Sequence, residues 1–195
     1  MIRPVLLTLT GGAGAGKTTL ATALAAAAPE GPLRVLHGDD YYYADTYPGD
    51  TPRRGIWRPD ATGTPRLDTG DPRSADGDRL AEDADRALAV ARVVVVEGLF
   101  ARHVTPRVAC ARFDVFVDLP ADLRLARKIR RKCLREGFPL DVLLTNYLDH
   151  RRGAHERHVE PVRTTCDLVV DARRDSVLLA RSIWEAIAAR SARSD

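Results

Sequence analysis

The stretch Gly11-Gly12-Ala13-Gly14-Ala15-Gly16-Lys17-Thr18 decides how the rest of this chain is interpreted. A short apolar run rich in Val, Leu and Thr, residues 4–10, comes directly before it, and an Ala- and Leu-rich run, residues 17–28, follows. Apolar runs of this kind predict a buried strand and a helix. The glycines therefore form a tight connection between a strand and the N-terminus of a helix.

Small residues in such a connection suit the binding of a phosphate chain. Successive backbone N–H groups can curl around phosphate oxygens, and the helix N-terminus adds partial positive charge. In the Gly-x-x-x-x-Gly-Lys-Thr pattern, Lys17 reaches the β and γ phosphates and the Thr18 hydroxyl ligates Mg²⁺. A merely flexible glycine turn is the alternative. We predict binding of ATP and Mg²⁺ by Gly12, Ala13, Gly14, Ala15, Gly16, Lys17, Thr18 and Thr19.

Composition excludes several other classes of protein. The chain has 195 residues, of which 45% are hydrophobic, and this fits one domain spanning residues 1–195. A net charge of +3 is too small to make nucleic-acid binding the default interpretation. There is no apolar run of the roughly 20 residues that span a bilayer, and residues 1–10 do not resemble a signal peptide. We expect a cytoplasmic protein with no membrane or nucleic-acid partner, whose three cysteines are reduced thiols.

Strand-like and helix-like segments alternate along the chain. Strands are predicted at residues 4–10, 33–37, 93–96, 113–117 and 168–170, and helices at 17–28, 76–91, 121–135, 140–160 and 176–190. Such alternation implies parallel crossovers, so we predict an α/β three-layer sandwich around a five-stranded, doubly wound parallel sheet. Residues 38–74 are dense in Asp, Gly, Pro, Arg and Tyr, which predicts a long loop or lid.

Four carboxylates follow predicted strands and are candidates for the reacting site. Mg²⁺ coordination calls for an acid at the end of the strand beside the phosphate loop, and Glu97 is placed for it, with Asp118 as the rival. Asp39 and Asp40 end the second strand, where an open α/β sheet has its ligand crevice. One of them could accept a proton from an attacking hydroxyl. A solvated turn is the alternative for this pair.

The helix predicted at 121–135 is strongly basic. Arg124, Arg127, Lys128 and Arg131 share one of its faces. Like charges this close repel one another unless an anion lies among them, so a helical lid, about residues 124–140, that closes over ATP fits the pattern. The set of ATP-binding residues then also includes Arg127. A solvated basic face and a nucleic-acid patch are the alternatives.

A phosphate loop alone does not separate kinases from GTPases and motor ATPases. The only lysines outside the loop are Lys128 and Lys132, so the Asn-Lys-x-Asp motif by which GTPases read guanine is missing. A translocating ATPase usually needs further domains. These observations favour a kinase.

The chain resembles the uridine kinases within the uridine kinase and phosphoribulokinase group. The similarity runs through the phosphate loop, His37-Gly38-Asp39-Asp40-Tyr41-Tyr42, residues 93–101 with their Val-Glu-Gly signature, residues 118–131, residues 146–161 and residues 166–169. The resemblance implies ATP-dependent phosphorylation of a nucleoside 5′-hydroxyl. Family members are often oligomers, so a homo-oligomer stays open.

The same resemblance assigns roles to individual residues. Asp39 matches the family's catalytic base, Tyr42 its substrate-contacting aromatic, Glu97 its Mg²⁺-linked acid and Arg131 a lid arginine near the phosphates. The predicted catalytic residues are Asp39, Lys17 and Arg131, the substrate-binding residues are Asp39, Tyr42 and Lys128, and the metal-binding residues are Thr18 and Glu97.

The chain also departs from the family pattern. Residues 76–92 hold one helix and leave no room for the usual pyrimidine-binding hairpin, and the Asp-His-Pro segment appears as Gly70-Asp71-Pro72. Lys128, Glu136 and Phe138 stand where lid arginines are usual. Another small acceptor, such as nicotinamide riboside, pantothenate or a sugar, therefore stays an alternative, as does a nucleotide-gated regulatory protein.

Two further groups of residues could contribute to a site. His155 and His158 could face the same way on a helix as metal ligands, although no third ligand is evident. Aromatic residues in the segment 38–74 could line a pocket, stack on a base or simply pack on the body of the protein. They are Tyr41, Tyr43, Tyr47 and Trp57.

Overall fold

A parallel sheet forms the centre of the computed structural model, which describes residues 3–29, 31–43, 54–59 and 63–192. Its five strands are β1 (Val5–Thr10), β2 (Leu33–His37), β5 (Val93–Gly98), β6 (Ala111–Asp118) and β7 (Leu168–Asp171). Their spatial order is β2-β5-β1-β6-β7, and every neighbouring pair is parallel. The predicted α/β fold with a five-stranded parallel sheet is confirmed.

Six α-helices connect and flank these strands in the described part of the chain. They are α1 (Lys17–Ala26), α2 (Gly77–Leu88), α3 (Ala121–Ile129), α4 (Leu140–Asn146), α5 (Arg152–His158) and α6 (Ser176–Ser191). Helix α3 continues into π-helical turns over Arg130–Arg135, and another π-helical segment, Tyr147–Arg151, joins α4 to α5. The predicted helix at 140–160 is therefore divided into shorter pieces.

The sheet is buried on both faces. In β1, Leu7 and Leu9 pack with α1 and α6, whereas Leu6 packs with α2 on the opposite face, because successive side chains of a strand alternate. The β-branched run Val93–Val96 is buried throughout, as expected for a central parallel strand. Burial on both faces holds β1 and β5 in position. The glycine-rich loop that follows β1 and the Glu97 carboxylate near the end of β5 are therefore held in position as well.

A small hairpin is the main feature that the sequence interpretation missed. Strands β3 (Trp57–Pro59) and β4 (Pro65–Leu67) pair antiparallel within the stretch expected to be a long loop or lid. Each strand has three residues, and each has a proline at one end, which weakens any strand signal. The segment 76–92 holds α2 alone, as expected from the sequence.

Within the described ranges, no helix combines the length and the apolar character that crossing a bilayer requires.

Candidate active site

The glycine-rich loop leaves β1 at Thr10 and enters α1 at Lys17. Gly14 and Gly16 have φ angles of 85° and 99°, a region that side-chain-bearing residues rarely adopt. At Gly14 space is restricted as well, because an added Cβ would lie 2.7 Å from the backbone oxygen of Arg124 in α3. The loop therefore keeps its shape only with a bare backbone at this position.

Lys17 is buried, and charges of both signs act on its ammonium group. Its side chain is buried, and Nζ donates a hydrogen bond to the Gly12 carbonyl oxygen at 3.2 Å. Burial lowers the pKa of Lys17, and the negative charges of Glu97 and Asp39 oppose that shift. Two sequence-predicted carboxylates thus lie close enough to Lys17 to act on its charge.

Glu97 connects β5 to the start of α1. The Thr18 hydroxyl donates to Glu97 Oε1 at 2.8 Å, and His37 Nδ1 lies 3.0 Å from the same oxygen. His37 and Glu97 are paired in register across β2 and β5. A buried carboxylate beside a hydroxyl supplies the hard oxygen ligands that Mg²⁺ prefers, so these residues fit the metal predicted from the sequence.

Asp118, the rival candidate for the metal, is engaged elsewhere. Its Oδ2 accepts a hydrogen bond from Arg163 Nη2 at 3.0 Å. The geometry therefore favours Glu97 over Asp118 as the acid beside the loop.

A cavity of about 760 Å³ opens over the loop. It brings together most of the sequence-predicted site residues: Ala13, Gly14, Ala15, Gly16, Lys17, Thr18, Thr19, Asp39, Tyr42, Arg127, Lys128 and Arg131. Gly12 lies against the side chain of Arg124 and does not line the cavity. Glu97 does not line it either, but it accepts a hydrogen bond from the hydroxyl of Thr18, which does. Asp40 does not line this cavity, and its backbone oxygen accepts a hydrogen bond from Arg79.

The basic face of α3 lies against the loop. Arg127 Nη1 donates to the Ala15 oxygen at 3.3 Å, and its Nη2 donates to the Ala172 oxygen at 3.2 Å, beyond the end of β7. Arg124 approaches Gly12 so closely that an added Cβ there would lie 2.2 Å from Nη1. Sequence reasoning gave Arg124 no separate role, although it shares the face of Arg127 and Lys128.

A second cavity of about 420 Å³ adjoins the first. Ala13, Leu99 and Lys128 line both cavities. The walls of the second also include residues that were not among the predicted catalytic, nucleotide-binding or substrate-binding residues: Gly70, Arg124, Tyr147, Arg151 and His155. These residues are distant in sequence, and the fold brings them together around one cavity.

The Gly70-Asp71-Pro72 segment places no carboxylate on this wall. Gly70 lines the second cavity, whereas Asp71 accepts hydrogen bonds from the backbone and side chain of Arg73. The Arg73 guanidinium lowers the pKa of Asp71 to about 2. The Asp71 carboxylate is thus engaged by the neighbouring residue Arg73.

The aromatic residues of the segment 38–74 have different environments. Tyr42 lines the first cavity, its hydroxyl donates to the Thr69 oxygen at 2.9 Å, and burial raises its pKa. Tyr41 packs into the core under α2 and donates to Asp83 Oδ2 at 2.8 Å. Trp57 Nε1 donates to the Arg54 oxygen. Tyr47 lies outside the described residues.

In the part of the chain that the structure describes, His155 and His158 belong to no cluster of three or more side chains that could hold a metal ion. His155 Nε2 lies 3.2 Å from Glu160 Oε2, and burial lowers the pKa of this histidine. Cys110, Cys133 and Cys166 are free cysteines.

Comparison with known proteins agrees with this geometry. Residues 73–178 match the model of the phosphoribulokinase / uridine kinase family. The chain belongs to this family. Among its relatives is the uridine kinase of Alkaliphilus metalliredigens (strain QYMF), which is 25% identical over 189 residues, covering 90% of this chain and 91% of that protein. The uridine kinase of Chlamydia pneumoniae is 27% identical over 184 residues, covering 87% and 82%.

Solved structures share the fold. A sugar kinase from Janibacter sp. HTCC2649 superimposes with a TM-score of 0.53 at 19% identity, covering 93% of this chain and 92% of that one. Shikimate kinase from Acinetobacter baumannii gives a TM-score of 0.51 at 14% identity, covering 96% and 94%. The family match and the geometry of the phosphate loop together identify this protein as a P-loop kinase.

The contact between Gly14 and α3 gives a testable prediction. A Gly14→Ala substitution adds a Cβ that overlaps the Arg124 backbone oxygen. We expect this overlap to make the nucleotide-binding shape of the loop less stable by about 1–3 kcal/mol. Affinity for a non-hydrolysable ATP analogue, measured by calorimetry, should fall about tenfold to a hundredfold.

Gly63→Ala is the matched control. Gly63 has a φ of 80° but nothing within 4 Å of an added Cβ, so it carries the backbone strain without the clash. Its nucleotide affinity should stay at the wild-type value. Equal affinities in the two variants would show that the close approach of α3 does not shape the loop.

Proposed function

We propose that this protein transfers the γ-phosphoryl group of ATP to a hydroxyl group of a small molecule, with Mg²⁺ as cofactor. One observation carries the proposal: a single cavity is lined by the phosphate loop with Lys17, by the carboxylate of Asp39 and by Arg131. These are an anion-binding cradle, a base and a cation for the transferred group. Phosphoryl transfer needs little beyond such positioning and charge stabilisation.

In the proposed step, the acceptor oxygen forms a bond to Pγ as the bond from Pγ to the β–γ bridging oxygen breaks. ADP leaves with the electrons of that bond, and the hydroxyl proton passes to the Asp39 carboxylate. Asp39 is exposed at the start of a 3₁₀-helix, Gly38–Tyr41, that follows β2. Lys17 and Arg131 neutralise charge on the transferred group, since cations aimed at it act most strongly in the transition state.

The Thr18 hydroxyl and, through water, Glu97 would hold the Mg²⁺. When bound, the ion neutralises phosphate charge and orients the β and γ oxygens. The side chains that surround the site keep Glu97 in place, because His37 and Thr18 share one of its oxygens.

A nucleoside 5′-hydroxyl, of the uridine or cytidine type, is the acceptor that the relatives favour. Tyr42 and Lys128 would contact it from the walls of the first cavity. The second class of acceptor is other small hydroxyl compounds, such as nicotinamide riboside, pantothenate or a sugar. Gly70 favours pantothenate among them, because this position brings no carboxylate to the adjoining wall that could bind the hydroxyls of a ribose or a sugar.

Coupled ADP detection with a panel of these acceptors tests the proposal. A kinase releases ADP faster when its acceptor is added. ADP release that no acceptor raises above background would instead indicate a nucleotide-gated regulatory protein, and the proposed transfer would be wrong.

The base assignment predicts a large effect at one of two neighbouring aspartates. Asp39→Asn removes the proton acceptor, so turnover with an active acceptor should fall by about 10²–10⁴-fold, while affinity for the ATP analogue is kept. Asp40→Asn is the control, because Asp40 does not line the cavity and should leave turnover close to wild type. Near-normal turnover in Asp39→Asn refutes the assignment.

The metal assignment predicts a change in Mg²⁺ dependence. Glu97→Gln keeps the shape of the side chain but removes its charge. The Mg²⁺ concentration for half-maximal turnover should therefore rise by about tenfold or more. Asp118→Asn, which disturbs only the ion pair with Arg163, should leave it unchanged. A larger shift in Asp118→Asn than in Glu97→Gln would reverse the two assignments.

A further inference from the structure

The second cavity has an excess of positive charge. Its basic side chains are Arg124, Lys128, Arg151 and Arg152, whereas its carboxylates are Asp122 and Glu156. Glu156 is engaged by Arg152, whose Nε lies 3.2 Å from Glu156 Oε1. Asp122 is exposed in the first turn of α3. The charges of Arg124, Lys128 and Arg151 thus face little negative charge on these walls.

Among the described residues, no acidic side chain balances the ammonium charge of Lys128. Of the three lysines, Lys17 donates to the Gly12 oxygen and Lys132 pairs with Glu136 at 2.6 Å. Within residues 3–29, 31–43, 54–59 and 63–192, Lys128 has neither a hydrogen-bond acceptor nor an acidic partner for its ammonium group. Burial lowers the pKa of Lys128, and the cations Arg151, Arg131 and Lys132 lower it further.

Arg151 adds a second, only partly compensated charge beside Lys128. Its Nη1 donates to Thr69 Oγ1 at 2.8 Å and to Asp68 Oδ1 at 3.3 Å. Asp68 is buried and also accepts from Arg58 Nε at 2.6 Å. One carboxylate therefore faces two guanidinium groups, so this part of the wall stays positive.

Gly70 itself adds no carboxylate to the one that Asp68 supplies here. An added Cβ at Gly70 would lie 2.8 Å from the Ala154 Cβ, 3.1 Å from Asp68 Oδ1 and 3.4 Å from Arg151 Nη1. There is no room for an acidic side chain on the wall at this point. Sugar hydroxyls are commonly bound by such a carboxylate, as in ribose recognition by dinucleotide-binding folds.

We infer that the acceptor carries an anionic group, a carboxylate or a phosphate ester, which binds in the second cavity against Lys128 and Arg151. Because Ala13, Leu99 and Lys128 line both cavities, a molecule anchored in the second can present its hydroxyl to Asp39 in the first. The phosphates of ATP already have Lys17, Arg127 and Arg131. This inference rests on the proposed kinase function and narrows its acceptor to small hydroxy acids and sugar phosphates.

Matched pairs of acceptors test the inference with the wild-type protein. Coupled ADP release is measured with pantothenate and pantothenol, glycerate and glycerol, ribose 5-phosphate and ribose, and with uridine and cytidine as neutral nucleosides. A charge-assisted contact should give the anionic member of an active pair a kcat/KM about tenfold to a hundredfold higher. A neutral compound used as well as or better than every anionic one overturns the inference and leaves the kinase proposal standing. No acceptor-dependent ADP release at all overturns both.

Variants of Lys128 test which substrate its charge serves. Lys128→Gln should raise KM for the anionic acceptor about tenfold to a hundredfold. It should leave KM for ATP near wild type and reduce the preference for the anionic member of a pair, and Lys128→Arg should recover much of the loss. Lys132→Gln, on the same helix but outside both cavities, is the control and should change neither KM.

Binding of the ATP analogue and the melting temperature confirm that each variant is folded. A rise in KM for ATP alone would assign Lys128 to the nucleotide, and an unchanged preference for the anionic acceptor in Lys128→Gln would show that this ammonium does not recognise it. Either result overturns the inference.

Discussion

The bare backbone of the loop between β1 and α1 is the constraint on which the rest of the site depends. Because Gly12 and Gly14 have no side chains, α3 lies directly against the loop, with the Arg124 backbone oxygen next to Gly14. Helix α3 then presents Arg127 and Lys128 to the cavity above, and its π-helical continuation presents Arg131. The backbone of the loop and a row of cations therefore line the same cavity.

Charge is distributed around this volume in a way that suits two ligands. Lys17 faces the carboxylates Glu97 and Asp39, so the loop cation is balanced at the point where a metal ion and a proton acceptor would act. The charges that act on the pKa of Lys128, further along α3, are those of the cations Arg151, Arg131 and Lys132. The first arrangement suits a nucleotide with its magnesium, and the second suits an anion that the protein itself does not provide.

Much of the fold and of the nucleotide side of the site could be predicted from local sequence. The glycine motif, the run Val93–Val96, Glu97 and the pair Asp39 and Asp40 all follow from short-range patterns, because chain direction in a parallel sheet brings strand ends to one edge. The choice of Asp39 over Asp40 as the base rests on the family resemblance. The β3–β4 hairpin could not be predicted, since its strands are three residues long and flanked by proline. The cluster of Asp68 with Arg58 and Arg151 was also missed, because Asp68 and Arg151 are 83 residues apart.

Calorimetric titration of the wild-type protein with a non-hydrolysable ATP analogue, with and without Mg²⁺, tests the central claim most directly. The loop geometry predicts one nucleotide bound per chain, with an affinity that increases when Mg²⁺ is present. Failure of every purine triphosphate analogue to bind in the presence of Mg²⁺ would contradict the account.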